Sequence, residues 1–89
     1  MIFISLIKFK QMPTKEDFAK VDKLREDMTK KSFKRLAHYW TLGRFDVVLL
    51  FEAPTENEAM KFTVESAKLG LATTETLVAI PREEALKLL

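Results

Sequence analysis

Tyr39-Trp40-Thr41-Leu42-Gly43-Arg44-Phe45-Asp46, continuing as Val47-Val48-Leu49-Leu50-Phe51-Glu52-Ala53-Pro54, reads as two strands joined by a turn at Gly43-Arg44. Aromatic and β-branched residues strengthen both arms and Pro54 stops the second, so strands are expected over 33–42 and 45–53. Gly43-Arg44 has the Gly-X form of a two-residue type II′ turn. That turn sets a register: Leu42 opposite Phe45, Thr41 opposite Asp46, Trp40 opposite Val47 and Tyr39 opposite Val48. It continues through His38–Leu49 and Ala37–Leu50 to Leu36–Phe51 and Arg35–Glu52. Side chains alternate along a strand, so the register sorts these residues onto two faces. Leu36, His38, Trp40, Leu42, Phe45, Val47, Leu49 and Phe51 make one row, the expected core. Arg35, Ala37, Tyr39, Thr41, Asp46, Val48, Leu50 and Glu52 make the other, apolar in its middle and polar or chargeable at its ends.

Upstream, residues 2–10 read as a strand, apolar on both faces apart from Ser5 and Lys8. Thr14, with Asp17 three residues on and Glu16 in the first turn, is an N-cap. Phe18, Val21, Leu24 and Met28 then recur at helical spacing, predicting a helix over 15–30 whose last turn, with Lys30 and Lys31, suits the macrodipole. Downstream, Thr55 with Glu58 forms a capping box opening a helix over 56–69, which Gly70 closes at its C′ position. Residues 72–80 are a fourth strand, and Pro81 starts a short terminal helix carrying Leu86, Leu88 and Leu89. The order β-α-β-β-α-β with right-handed crossovers places two helices on one face of a four-stranded antiparallel sheet, an α+β ferredoxin-like plait.

Composition narrows the function classes. Eighty-nine residues make one domain, 1–89, yet 47% of them are hydrophobic, much for so small a body. Self-association that buries a second apolar face resolves the tension. No Cys is present, which removes disulfides, thiol nucleophiles and thiolate metal sites and suits a cytoplasmic protein. The apolar run at the N-terminus lacks a basic leader and a small-residue cleavage site and is too short to span a bilayer, so no membrane association is expected. Net charge is +2, but residues 1–44 hold eleven Lys/Arg against five Asp/Glu, giving +6, and residues 45–89 hold four against eight, giving −4. The basic block contains Asp22, Glu26 and Asp27, and reads as a solvated helix face rather than a nucleic-acid site. A single His without Cys argues against a transition-metal site, and two Gly with turn roles argue against a phosphate cradle, so neither metal nor cofactor is expected.

Candidate chemistry therefore falls on the mixed face. A partner sheet covering Ala37, Val48 and Leu50 leaves a pocket lined by Tyr39, Thr41, Asp46, Arg35 and Glu52. Asp46 is a potential base or ligand acceptor, or else a structural residue that bonds the Thr41 hydroxyl or caps the turn. Tyr39 orients a ligand by its hydroxyl or fills an interface, and Arg35–Glu52 reads as a cross-strand ion pair of modest worth. Glu75 is a further candidate for the same cavity. His38 and Trp40, on the core row, take structural roles.

Tyr39-x-Thr41-Leu42-Gly43-Arg44-Phe45-Asp46, the Glu52-Ala53-Pro54 that follows and Thr74-Glu75-Thr76-Leu77 near the end resemble the GYD-domain family, with Phe45 where that family commonly has Tyr. The resemblance covers nearly the whole chain. It implies a dimeric α+β barrel, two ferredoxin-like units packed sheet to sheet, and supplies no established reaction. Three functions compete: a homo-oligomeric domain, homodimer or larger, that binds or senses a small organic ligand in a cavity at the sheet–sheet interface; a cofactor-independent enzyme resembling dimeric α+β barrel monooxygenases or isomerases, using Tyr39, Asp46, Trp40 and His38; and an RNA-binding module. The last ranks lowest, because the third strand has no Gly and its Phe residues project to the core side.

Overall fold

The computed structural model describes residues 1–29 and 33–89. In chain order they form β1 (Ile2–Phe9), α1 (Lys15–Thr29), β2 (Lys34–Trp40), β3 (Val47–Glu52), α2 (Glu56–Ala67), β4 (Ala72–Ala79) and α3 (Arg82–Leu86). The strands make one antiparallel sheet in the order β2-β3-β1-β4, the expected ferredoxin-like arrangement. The expected macrodipole role of Lys30 and Lys31 lies outside the described residues.

Both helix starts follow their sequence signals. The Thr14 backbone N–H donates to Asp17 Oδ2 at 2.9 Å while the Asp17 N–H donates to Thr14 Oγ1 at 3.1 Å, a reciprocal cap that satisfies two orphan donors. The Glu58 N–H donates to Thr55 Oγ1 at 3.2 Å. At its end α2 stops at Ala67, two residues short of the expected limit, and Gly70 supplies the left-handed conformation (φ 69°) that turns the chain into β4.

The interior is built on phenylalanine. The Phe51 ring lies 5.3 Å from Phe3, 4.7 Å from Phe33 and 5.6 Å from Phe62, and Phe33 lies 4.5 Å from Phe62. With Leu49, Met28, Ala53 and Ala59 these rings close the core between sheet and helices. Leu24 packs against it, so the lower half of the apolar stripe on α1 does what its spacing predicts. The expected core row is only half right. Val47, Leu49 and Phe51 are buried, but Leu36 is 42% exposed, Trp40 57% exposed and Leu42 wholly in solvent.

Two local departures explain the exposure of Leu42 and Leu36. The hairpin register from Ala37–Leu50 to Trp40–Val47 is the expected one, but the turn is not a two-residue loop. Thr41 N–H donates to the Asp46 carbonyl at 2.9 Å, leaving Leu42–Phe45 as a four-residue loop with Gly43 at φ 124°. Here the Thr41 hydroxyl donates to the Phe45 carbonyl at 2.6 Å, which holds that group away from a Leu42 pair. The second departure is a bulge between Arg35 and Ala37, on an edge strand where bulges are common. It leaves Leu36 unpaired, sets Arg35 opposite Phe51 and Lys34 opposite Glu52, and so undoes the expected Arg35–Glu52 and Leu36–Phe51 pairs. Paired residues share a face, so Arg35 moves to the helix side.

Asp46 is the joint between hairpin and sheet. Its N–H donates to the Ile7 carbonyl at 2.8 Å and its carboxylate Oδ2 accepts the Phe9 N–H at 2.8 Å. The expected bond to the Thr41 hydroxyl does not form, since that hydroxyl serves Phe45. Asp46→Ala leaves a part-buried N–H without its partner, at a cost of about 1–3 kcal/mol. Thermal unfolding should show a Tm loss of at least about 4 °C for Asp46→Ala and a smaller loss for Asp46→Asn. A Tm within about 1 °C of the parent for Asp46→Ala contradicts the joint.

Candidate functional site

A cavity of about 190 Å³ opens between the sheet and the two long helices, beyond the end of the phenylalanine core. Alternation puts Ser5, Ile7 and Phe9 of β1, Val47 and Leu49 of β3, and His38 and Trp40 of β2 on its sheet side. Phe18, Val21, Asp22 and Arg25 reach it from α1, and Phe62, Thr63, Ser66 and Ala67 from α2. Many of these are small, including Ser5, Ser66, Ala67 and Ala72, and they cannot fill the space that the phenylalanines fill at the other end.

One end is aromatic. Phe9, Phe18 and Trp40 meet with ring centroids 5.5 Å (Phe9–Trp40), 5.6 Å (Phe18–Trp40) and 6.2 Å (Phe9–Phe18) apart, within the range of mutual ring attraction. Two hydroxyls in the lining are already engaged: Ser5 shares a 2.9 Å hydrogen bond with Thr76 across the β1–β4 pair, and Thr63 donates to the Ala59 carbonyl at 3.1 Å. The ionisable groups are Asp22, Arg25 and His38. Arg25 Nη1 lies 3.8 Å from Asp22 Oδ1, a charge contact too long for a hydrogen bond. The Arg25 side chain is 13% exposed and that of Asp22 70%, so the guanidinium is inside and the carboxylate in water.

Burial sets the electrostatics. It lowers the His38 pKa below its ordinary value, and the charges of Arg25 and then Arg35 lower it further, while Asp22 pulls it up. His38 is therefore a neutral imidazole at pH 7, able to accept and donate one hydrogen bond each. Burial also lowers the Arg25 pKa, followed by Arg35, with Asp22 opposing.

The five residues expected to share a pocket do not come together. Tyr39 and Glu52 lie on the open sheet face with Val48 and Leu50. Arg35 is on the opposite, helix side because of the bulge. Asp46 and Thr41 are taken up in the hairpin joint. Glu75, opposite Leu6, is exposed on the open face at the other edge. His38 and Trp40, read from the sequence as structural, instead line the cavity. Arg25 and Asp22 are inconspicuous in a charged helix. The signal that marks them is spacing, since Phe18, Asp22 and Arg25 stand at i, i+4 and i+7 on one helical face. Among the described residues no group of three or more His, Cys, Asp or Glu is placed to hold a metal, and no helix is long and apolar enough to cross a membrane.

A depressed His38 pKa means that the unfolded chain binds a proton more readily than the folded one. The stabilisation is complete above the unfolded value of about 6.5 and is lost as pH falls through the lower folded value. NMR titration of this sole histidine should give a midpoint below 6.5 that rises in Arg25→Gln and falls further in Asp22→Asn. A midpoint at or above 6.5 in the parent contradicts the placement.

Comparison with known proteins bears on the fold and the family. The solved structure of TTHA0845 from Thermus thermophilus matches with a TM-score of 0.56 at 22% identity, over 91% of this chain and 98% of that one. At that identity the likeness speaks for the fold. Among curated proteins none matches this chain at a significant level. The sequence profile of the GYD domain matches residues 3–89, nearly the full length, as the resemblance in the hairpin motif implies. The chain belongs to the GYD domain family.

Proposed function

We propose that this chain is a self-associating domain that binds or senses a small organic molecule, held in the cavity between the helices and the sheet. The cavity carries the reading: it joins an aromatic end to a neutral imidazole and a mostly buried guanidinium, the mix of apolar walls and a few placed polar groups that suits a ligand. This location replaces the sheet–sheet interface expected from the register. Self-association rests on the open sheet face, where Ile4, Leu6, Val48, Leu50 and Leu77 stand together, with Leu77 41% exposed. So contiguous an apolar surface favours a second copy of the chain as its cover.

An enzymatic reading keeps one supporting observation. His38, neutral at pH 7 and facing the cavity, suits a general base. It becomes the better reading if His38→Gln abolishes turnover of a bound compound while leaving its affinity unchanged.

Two measurements test the proposal. Leu50→Lys should convert an oligomer, seen by sedimentation equilibrium, into folded monomers; a parent that is monomeric at micromolar concentration contradicts self-association. Ser66→Leu places a better helix former and four carbons against the cavity, and filling of this kind commonly yields about 0.5–2 kcal/mol. Its Tm should rise by a few degrees while small-molecule binding weakens at least about tenfold, and unchanged binding contradicts the location.

A further inference from the structure

The two walls of the cavity are graded in the same direction. Along β2 the helix-side residues run Trp40 and His38 in the cavity wall and then Arg35 beyond it, exposed and brought to this face by the bulge at Leu36. Along α1 the lining residues run Phe18, Val21, Asp22 and Arg25, from apolar to charged, with the Asp22 carboxylate in water. Phe18 and Trp40 meet at 5.6 Å, which pins the aromatic ends together. At the other end Arg25 and His38 both line the cavity, and the positive charges of Arg25 and Arg35 both lower the His38 pKa. Trp40 to His38 spans about 7 Å along the strand, at ~3.4 Å per residue, and Phe18 to Arg25 about 10 Å along the helix, at ~1.5 Å per residue.

Resting on the reading that this cavity takes a small molecule, we propose that its ligand is a small aromatic acid, with the ring among Phe9, Phe18 and Trp40 and the carboxylate toward Arg25 and His38. Size supports a single ring. An apolar cavity of about 150 Å³ is enough for benzene, and about 190 Å³ leaves room for a short acidic substituent. Charge supports the acid. Arg25 lines the cavity and Arg35 adds positive charge beyond it, while the Asp22 carboxylate is mostly in water, so the site favours an anion. Arginine in a partly dry site also gives an anion short, charge-assisted hydrogen bonds. An aromatic cluster by itself equally suits a cation, but the same two guanidiniums disfavour one.

Phenylacetate, phenylacetamide and phenethylamine carry the same ring and differ in charge. Binding of each to the full chain at pH 7 is read by fluorescence of Trp40, the one tryptophan. Phenylacetate should bind at least about tenfold more tightly than the amide, and the amine most weakly. Arg25→Gln should remove most of that preference while leaving amide affinity within about twofold, and Arg35→Gln should reduce it in the same sense. Equal affinity for acid and amide, or a preference for the amine, overturns the acid assignment and leaves the cavity reading standing. Failure of all three to bind at millimolar concentration overturns both.

Discussion

Four phenylalanine rings meet at Phe51, and where they stop the interior opens. Phe3 of β1, Phe33 ahead of β2 and Phe62 of α2 all lie within 5.6 Å of its ring centroid. A side chain of that size buried to this degree contributes on the order of 2–3 kcal/mol, and the four together hold α2 down on the centre of the sheet. The far end of the same layer has no such payload. Ser5, Ser66, Ala67 and Ala72 stand where larger side chains would close the space, and the chain leaves about 190 Å³ between helices and sheet. An opening left beside an otherwise close-packed core is a natural place for a ligand.

The motif that marks the family performs a structural task in this chain. Thr41, Phe45 and Asp46 close the hairpin through short hydrogen bonds around a loop in which Gly43 takes a positive φ, and Asp46 ties it to β1. That joint fixes the end of β1 beside the start of β3, and with it the position of Phe9, one wall of the aromatic cluster. Asp46 therefore bears on the cavity through geometry, by holding the backbone of Phe9.

Much of this architecture is legible in the sequence because it depends on local rules. Thr14 and Thr55 announce helix starts through hydroxyl caps, Gly70 announces a helix end through its φ, and alternation fixes the faces from Ala37 to Trp40. The bulge at Leu36 is not legible. It inserts one residue with no special composition, and it moves Arg35 from one face to the other. The hairpin loop escapes for a related reason: Gly43-Arg44 matches a tight turn, but the Thr41 hydroxyl and the β1 backbone compete for the groups that would close it. The site is harder still. Trp40 and His38 do fall on the helix face, as alternation requires, but the row alone does not reveal that the helices leave space above them. In the sequence Arg25 is one charge among many, and only the packing of α1 turns its side chain inward.

The central claim is that ligands enter beneath the helices and leave the open sheet face to other partners. Intermolecular nuclear Overhauser effects from the ring protons of bound phenylacetate test it most directly. Contacts are expected to the Trp40 indole and the Phe18 ring, and none to Tyr39 on the opposite face. Contacts to Tyr39 and Leu50, with none to Trp40, would contradict it.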